Sequence, residues 1–305
     1  MRISTNTMYQ TGINKISELQ AEQVRLQTQI STNRRIQVPS DDPVASARAL
    51  SIRQSQSINT QFSTNRAEVK NQLNLQEGTL SSITELMITA QTSLISAGDQ
   101  AYSDSDRANI ASDLTSAMEQ LLSYANTRDA SGKYIFSGNQ IDTPAFVKTA
   151  AGATYQGDTG LRMVDVASDR QLSINESGDN VFKAGSTDIF TTLTSLIALV
   201  KTPVTSPAAQ VALTTGLGTF TASLQGALDN ILTVRANTGS KLKELDALDN
   251  SGENRALLYS TNLSELEDLD YAKAISDISQ QKTILEAAQQ TFVKTSSLSL
   301  FNYIN

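Results

Sequence analysis

EVKNQLNLQEGTLSSITELMITAQTSLISAGD, residues Glu68–Asp99, decides the architecture. Val69, Leu73, Gln76, Leu80, Ile83, Met87, Ala90 and Leu94 alternate by four and three, so they form one stripe along a long helix. Gly98-Asp99 and Ser103-Asp104 then read as a turn. Ile110, Leu114, Ala117, Leu121 and Ala125 restart the stripe. The expectation is a helical hairpin in which each helix hides its stripe on the other.

Upstream, Ile13, Ile16, Leu19, Leu26 and Ile30 recur at spacings of three, four and seven between Asn6 and Arg35, a weaker helical seam. It stops at Val38-Pro39, and Ser40-Asp41-Asp42-Pro43 reads as a new helix start. Asp42 can cap, and Pro43 at the first helical position loses nothing by lacking an N–H. Pro39, Asp42 and Pro43 therefore mark a joint between two helices.

Downstream the period changes. Residues 136–185 hold six glycines where the preceding 135 residues hold four. Candidate strands at Phe146–Lys148, Leu161–Val166 and Gln171–Ile174 lie between Gly-Asp and Ser-Gly turn pairs. Helical periodicity returns at Asp188–Val200, breaks at Pro203 and Pro207, and then continues almost to the end. Gly239 and Gly252 are candidate bends. Tyr271, Ala274, Ile278, Gln281, Leu285, Ala288 and Phe292 form the last stripe.

These readings predict a mainly α protein with a small β-rich insertion, its N- and C-terminal regions forming a long helical hairpin or bundle. Residues 1–42 form an N-terminal assembly segment, 43–137 and 186–262 two halves of a helical core, 138–185 the insertion, and 263–305 a C-terminal assembly segment. The two ends are expected to pair. Each stripe is too weak to stand alone, because helix nucleation is costly. Burying each Leu, Ile or Phe contributes roughly 1.5–3 kcal/mol, so a handful of shared seam residues decides the balance. Residues 1–40 carry five basic and two acidic side chains, and residues 263–305 carry three basic and six acidic. Opposite charge favours the pair, although exposed ion pairs contribute little individually.

Composition excludes several chemistries. The 305 residues contain no Cys and no His, which removes thiolate nucleophiles, imidazole bases and the usual zinc or copper ligands. No cofactor or metal site is expected. A formal charge of −7 gives no reason to expect nucleic acid. The longest aliphatic run, Leu196–Val200, falls far short of the ~20 residues that span a bilayer, and the start lacks the apolar core of a signal peptide. Catalysis would have to use Asp41 with Asp42, Asp104 with Asp106, or Asp268 with Asp270. A helix cap, a turn before Arg107 and a polar helix face explain these pairs more simply. A ligand-binding role for the insertion would need a pocket lined by Tyr155 or Phe146. The uncharged tail Thr295–Asn305, with Leu298, Leu300, Phe301, Tyr303 and Ile304, points either to a partner surface or to burial in the protein's own core.

Five stretches in order resemble the FlgL family of flagellar hook–filament junction proteins, relatives of flagellin. They are MRISTNTMYQ (Met1–Gln10), QISTNRRIQVPSDDPVASARAL (Gln29–Leu50), RDASGKYIFSG (Arg128–Gly138), YQGDTG (Tyr155–Gly160) and the final LDYAKAISDISQQKTILEAAQQTFVKTSSLSLFNYIN (Leu269–Asn305). The resemblance implies a non-enzymatic subunit exported by the flagellar type III apparatus through an uncleaved N-terminus. Its implied partners are a FlgK-type junction protein, the flagellin filament, a flagellar export chaperone and further copies of itself in a ring. Self-assembly and partner contacts would fall on Ile13, Ile16, Leu19, Leu26, Ile30, Ile278, Leu285 and Phe292. Leu298, Leu300, Phe301 and Tyr303 are the candidates for the chaperone. The implied location is extracellular, at the hook–filament junction, after a transient cytoplasmic stage.

Overall fold

A computed structural model describes residues 5–99, 102–185 and 187–304, with side chains described within 7–296 apart from 184 and 187. The chain is mainly α. Its helices are α1 (Thr5–Thr32), α2 (Pro43–Ala97), α3 (Asp104–Ala125), α4 (Gly178–Phe182), α5 (Ile189–Lys201), α6 (Pro207–Glu267) and α7 (Tyr271–Ile304). Three antiparallel strand pairs make up the β-rich part: β1 (Phe146–Thr149) with β2 (Gly152–Tyr155), β3 (Met163–Ala167) with β4 (Arg170–Ser173), and β5 (Lys183–Ala184) with β6 (Thr187–Asp188). Two compact units result, one of residues 1–58 with 254–305 and one of residues 59–253.

The larger unit carries the main core. Leu80, Ile83, Met87 and Leu94 of α2 are essentially fully buried, as the four-three stripe requires. They join Leu114 and Leu121 of α3, Leu193 and Leu196 of α5, and Leu224 and Ile231 of α6 in one cluster. This corrects the expected two-helix hairpin. The close backbone partner of α3 is α5, and α2 hides its stripe in a core shared by four helices. The reason is α5 itself, IFTTLTSLIALVK, which buries Ile189, Phe190, Leu193, Leu196, Ile197 and Val200 and needs neighbours on more than one side.

The insertion is joined to that core through aromatics. Phe182 meets Phe136, Phe146 and Phe190 at ring-centroid distances of 5.6, 5.1 and 5.7 Å. The segment RDASGKYIFSG delivers Phe136 by a tight loop, where the Asp129 carboxylate accepts from the N–H groups of Ser131 (2.8 Å) and Lys133 (3.0 Å). Asn126 ties the end of α3 to β1, accepting from Phe146 N–H at 3.0 Å and donating to its carbonyl at 2.8 Å.

Strand β2 has no sequence signal of its own, because it opens on Gly152 and Ala153. Gly152 holds φ at +126°, and a Cβ there would lie 2.7 Å from the Phe190 carbonyl oxygen. Both facts demand glycine. Gly152→Ala is expected to destabilise the larger unit by about 2–4 kcal/mol, read as a lower urea midpoint. A loss below about 0.5 kcal/mol would show that the β1–β2 turn does not bear on α5.

The β3–β4 hairpin forms a second, smaller core, with Val166 and Leu172 against Val69 and Leu73 of α2 and Leu245 of α6. Arg66, 3 % exposed, pairs with Asp249 at 2.5 Å and donates to the Val166 carbonyl at 3.0 Å. Gly252 bends nothing: α6 runs unbroken from Pro207 to Glu267, and a Cβ at Gly252 would lie 2.5 Å from an Arg66 guanidinium nitrogen. The glycine makes room for that arginine. Gly239 also lies within the unbroken helix.

Candidate assembly surface

The smaller unit is built on α1 and α7, which run antiparallel. Tyr9 packs on Phe292 with ring centroids 4.9 Å apart, Gln281 donates to the Leu19 carbonyl at 3.3 Å, and the Tyr271 hydroxyl donates to the Ile30 carbonyl at 3.3 Å. Gly12 permits the close approach at one end, where a Cβ would stand 2.6 Å from the Phe292 ring.

A joint closes the other end. α1 stops at Asn33, whose φ of +55° is a left-handed conformation that Asn tolerates. Arg34 N–H then bonds back to the Gln29 carbonyl at 3.2 Å, the six-to-one bond of a Schellman cap. The chain next pairs briefly with the end of α6. Arg34 bridges Asp268, and Arg35 donates its N–H to the Glu267 carbonyl at 2.7 Å and its guanidinium to the Leu266 carbonyl at 2.7 Å. Arg53 adds an ion pair to Glu267 at 2.5 Å. This meeting lies at the break between α6 and α7, where the local sequence LEDLDY offers only Asp270 as a cap.

Each acidic pair has a structural task. Asp41 accepts from the N–H groups of Gln37 (2.9 Å) and Val38 (3.0 Å), and these bonds, Val38's first, lower its pKa. Asp42 caps α2 by accepting from Ala45 N–H at 2.9 Å, which lowers its pKa, with help from Arg35. Pro43 follows as the first helical residue, and Pro39 lies exposed in the loop. Asp104 pairs with Arg107 and accepts from Val204 N–H at 3.1 Å. Asp106 completes a capping box with Ser103. Asp270 caps α7 through Lys273 N–H at 3.1 Å, and Asp268 takes the Ser264 hydroxyl. The depressed carboxyls of Asp41 and Asp42 have one pH consequence. The stability they supply is complete above the unfolded carboxylate range and is lost as pH falls through their lower folded values. Carbon-detected titration should find both midpoints below the ordinary aspartate value, and Asp42→Asn should keep the cap while removing its share of the pH dependence.

The seam residues are unevenly covered. Leu26 and Leu285 are buried, Ile16, Leu19, Ile30, Ile278 and Phe292 half-buried, and Ile13 is 42 % exposed. The side chains of Leu298, Leu300, Phe301 and Tyr303 lie outside the described residues. Among described residues, the smaller unit buries five apolar side chains, Leu26, Ala45, Ala49, Ala274 and Leu285. It exposes fourteen large ones, including Met8, Val24, Ile275, Ile284 and Val293. A mainly apolar groove of about 660 Å³ runs between α1 and α7, floored by Gly12, Ile16, Ala288 and Phe292. Two helices cannot cover each other on all sides, and α1 and α7 leave much of their apolar surface uncovered.

The insertion has a smaller groove of about 440 Å³ beside Phe146, Tyr155, Asp179 and Lys183. Its polar groups are engaged internally. Lys183 pairs with Asp179 at 2.6 Å, and the single Tyr155 O–H is shared between the carbonyls of Asp158 (2.7 Å) and Phe136 (3.1 Å). Burial pushes the Tyr155 phenol up to about 12. YQGDTG is therefore a structural loop: Asp158 accepts from the N–H groups of Asn139 (2.8 Å) and Gly160 (2.9 Å).

Long paired terminal helices, with the neighbouring acidic pairs engaged in caps, turns and ion pairs, are the architecture of a helical structural protein. Residues 3–141 match the bacterial flagellin N-terminal helical region. Flagellar hook-associated protein 3 of Escherichia coli K12 is 35 % identical, and that of Salmonella typhimurium LT2 34 %, each over 99 % of both chains. The fold also resembles the flagellar junction protein FlgL from Legionella pneumophila, with a TM-score of 0.64 at 21 % identity over 72 % of this chain and all of that one. The chain belongs to the flagellar hook-associated protein 3, or FlgL, family. It is a structural component of the flagellum and not an enzyme. Among the described residues no helix is long and apolar enough to cross a membrane.

Proposed function

We propose that this protein forms a thin ring at the junction of hook and filament, and that α1 and α7 are the elements through which its subunits join. The observation that carries the reading is the imbalance in the smaller unit, five buried apolar side chains against fourteen large exposed ones. Neighbouring copies would cover Ile13, Ile16 and Phe292, while Leu26, Ile30, Ile278 and Leu285 hold the pair together. A stable interface needs roughly 1,200–2,000 Å² of buried surface, which helices of 28 and 34 residues can supply along their length. The axial neighbours are a FlgK-type junction protein on one side and flagellin on the other.

Type III export of the unfolded chain precedes assembly, and a cytoplasmic chaperone holds the apolar tail at Leu298, Leu300, Phe301 and Tyr303. The weak seam of the terminal helices suits a chain that is threaded first and ordered afterwards by its neighbours. The domain scheme that follows gives 1–42 and 263–305 to assembly, 43–137 and 186–262 to the helical core, and 138–185 to the outer surface.

Gly12→Leu tests the surface directly. The added side chain displaces the Phe292 ring, so the variant should be exported and show wild-type unfolding of the larger unit, yet fail to support filaments. Normal swimming by that variant would remove the α1–α7 face from the proposal.

A further inference from the structure

The buried interior of the larger unit is not continuous. One cluster contains thirty buried apolar residues, reaching Leu80 on α2 and Val234 on α6. The other contains five, Val69, Leu73, Val166, Leu172 and Leu245. Between them on α2 stands Gln76, 2 % exposed, occupying a stripe position otherwise filled by apolar residues. Neither its amide nitrogen nor its amide oxygen finds a hydrogen-bond partner in the protein, and the same holds for one carboxylate oxygen of the adjacent Glu77. On α6 the corresponding position is Thr238, fully buried, whose hydroxyl turns back to its own helix at the Val234 carbonyl, 3.0 Å away. The cross-helix contacts Lys70–Asp246, Glu77–Arg235 and Gln91–Gln225 place Gln76 and Thr238 at the same level.

A buried amide that makes no protein hydrogen bond stabilises the fold less than the apolar side chains that fill the other stripe positions. Here that weakness falls at the boundary between a large and a small apolar cluster. Beyond it, the small apolar cluster is flanked by three ion pairs, Arg66 with Asp249, Arg170 with Glu244, and Lys241 with Glu176. We propose that the Gln76–Thr238 layer divides the larger unit into two cooperative halves, so that the end bearing the β3–β4 hairpin opens on its own while the aromatic end stays folded. Local opening of this kind follows contiguous structural blocks with few buried apolar contacts. The inference stands independently of the assembly reading.

Native-state hydrogen exchange on the full chain, with Gln76→Leu and Gln76→Met beside wild type, tests it. In wild type, amides of residues 64–75, 163–173 and 240–250 should exchange through a shared opening at least tenfold faster than those of 110–125 and 189–200. Either variant removes the unpaired amide while filling similar space. The more stable of the two should slow the first group at least tenfold and the second group less. Equal exchange of the two groups in wild type overturns the proposal whatever the variants do. A wild-type difference that neither variant reduces overturns the role of Gln76.

Discussion

Removing residues 271–305 should leave a chain whose larger unit unfolds as it does in the full-length protein but which no longer supports a filament. The deletion takes away α7, the close backbone partner of α1 and the helix whose Phe292 seats Tyr9. A lone α1 retains too little apolar burial to offset the entropy of ordering its backbone, about 1–2 kcal/mol per residue. The loss of motility should be complete, because no residual pair remains to bind a neighbour. Residues 59–253 are a separate compact unit, so their urea midpoint should move little. The shorter deletion of residues 295–305 separates two roles: it should abolish chaperone binding and filament attachment while leaving most of the α1–α7 pair. Filaments growing on cells that carry the longer deletion would contradict the proposed use of α7.

Phe182→Ala should cost the larger unit about 3–5 kcal/mol, a large part of the stability of a typical domain. Phe182 is 2 % exposed and touches Phe136, Phe146 and Phe190, so its removal opens a cavity where loop, strand and α5 converge. Two of the contacts, to Phe136 and Phe146, are edge-on, at interplanar angles of 86° and 79°, a geometry that adds to simple burial. Chemical denaturation followed by far-ultraviolet circular dichroism gives the midpoint. A shift worth less than about 1 kcal/mol would mean that the insertion does not depend on this cluster.

The sequence made the long helices legible because their stripes are regular. Leu80, Ile83 and Met87 could be placed on a buried face without knowing what covered them. Periodicity does not name the covering helix, which is why α5 rather than α2 emerged as the close partner of α3. The end of α6 was hidden for another reason. LEDLDY offers only the Asp270 cap as a local signal, and the break falls where Arg34 and Arg35 come from far away in the chain to pair with Asp268 and Glu267. Gly252 misled in the opposite direction, since its role is to admit Arg66 and not to bend the backbone.

For the assembly surface, sequence gave the identity of the seam residues but not their coverage. Ile13 and Leu26 share a period, yet one is 42 % exposed and the other buried, because α7 can face only part of α1. Tyr9 and Gly12 carried no signal, although the small residue facing a large ring is visible in retrospect within MRISTNTMYQTG. Gln76 was legible as a stripe member, but only the structure shows its amide without a protein partner.

The central claim is that α1 and α7 are completed by neighbouring subunits. Hydrogen exchange across residues 7–32 and 271–296, compared between dilute monomer and protein incorporated at the flagellar junction, tests it most directly. The account predicts little protection in the monomer beside strong protection at 110–125 and 189–200, and a large rise at both terminal segments on assembly. Strong protection of residues 7–32 in dilute monomer, unchanged by assembly, would contradict it.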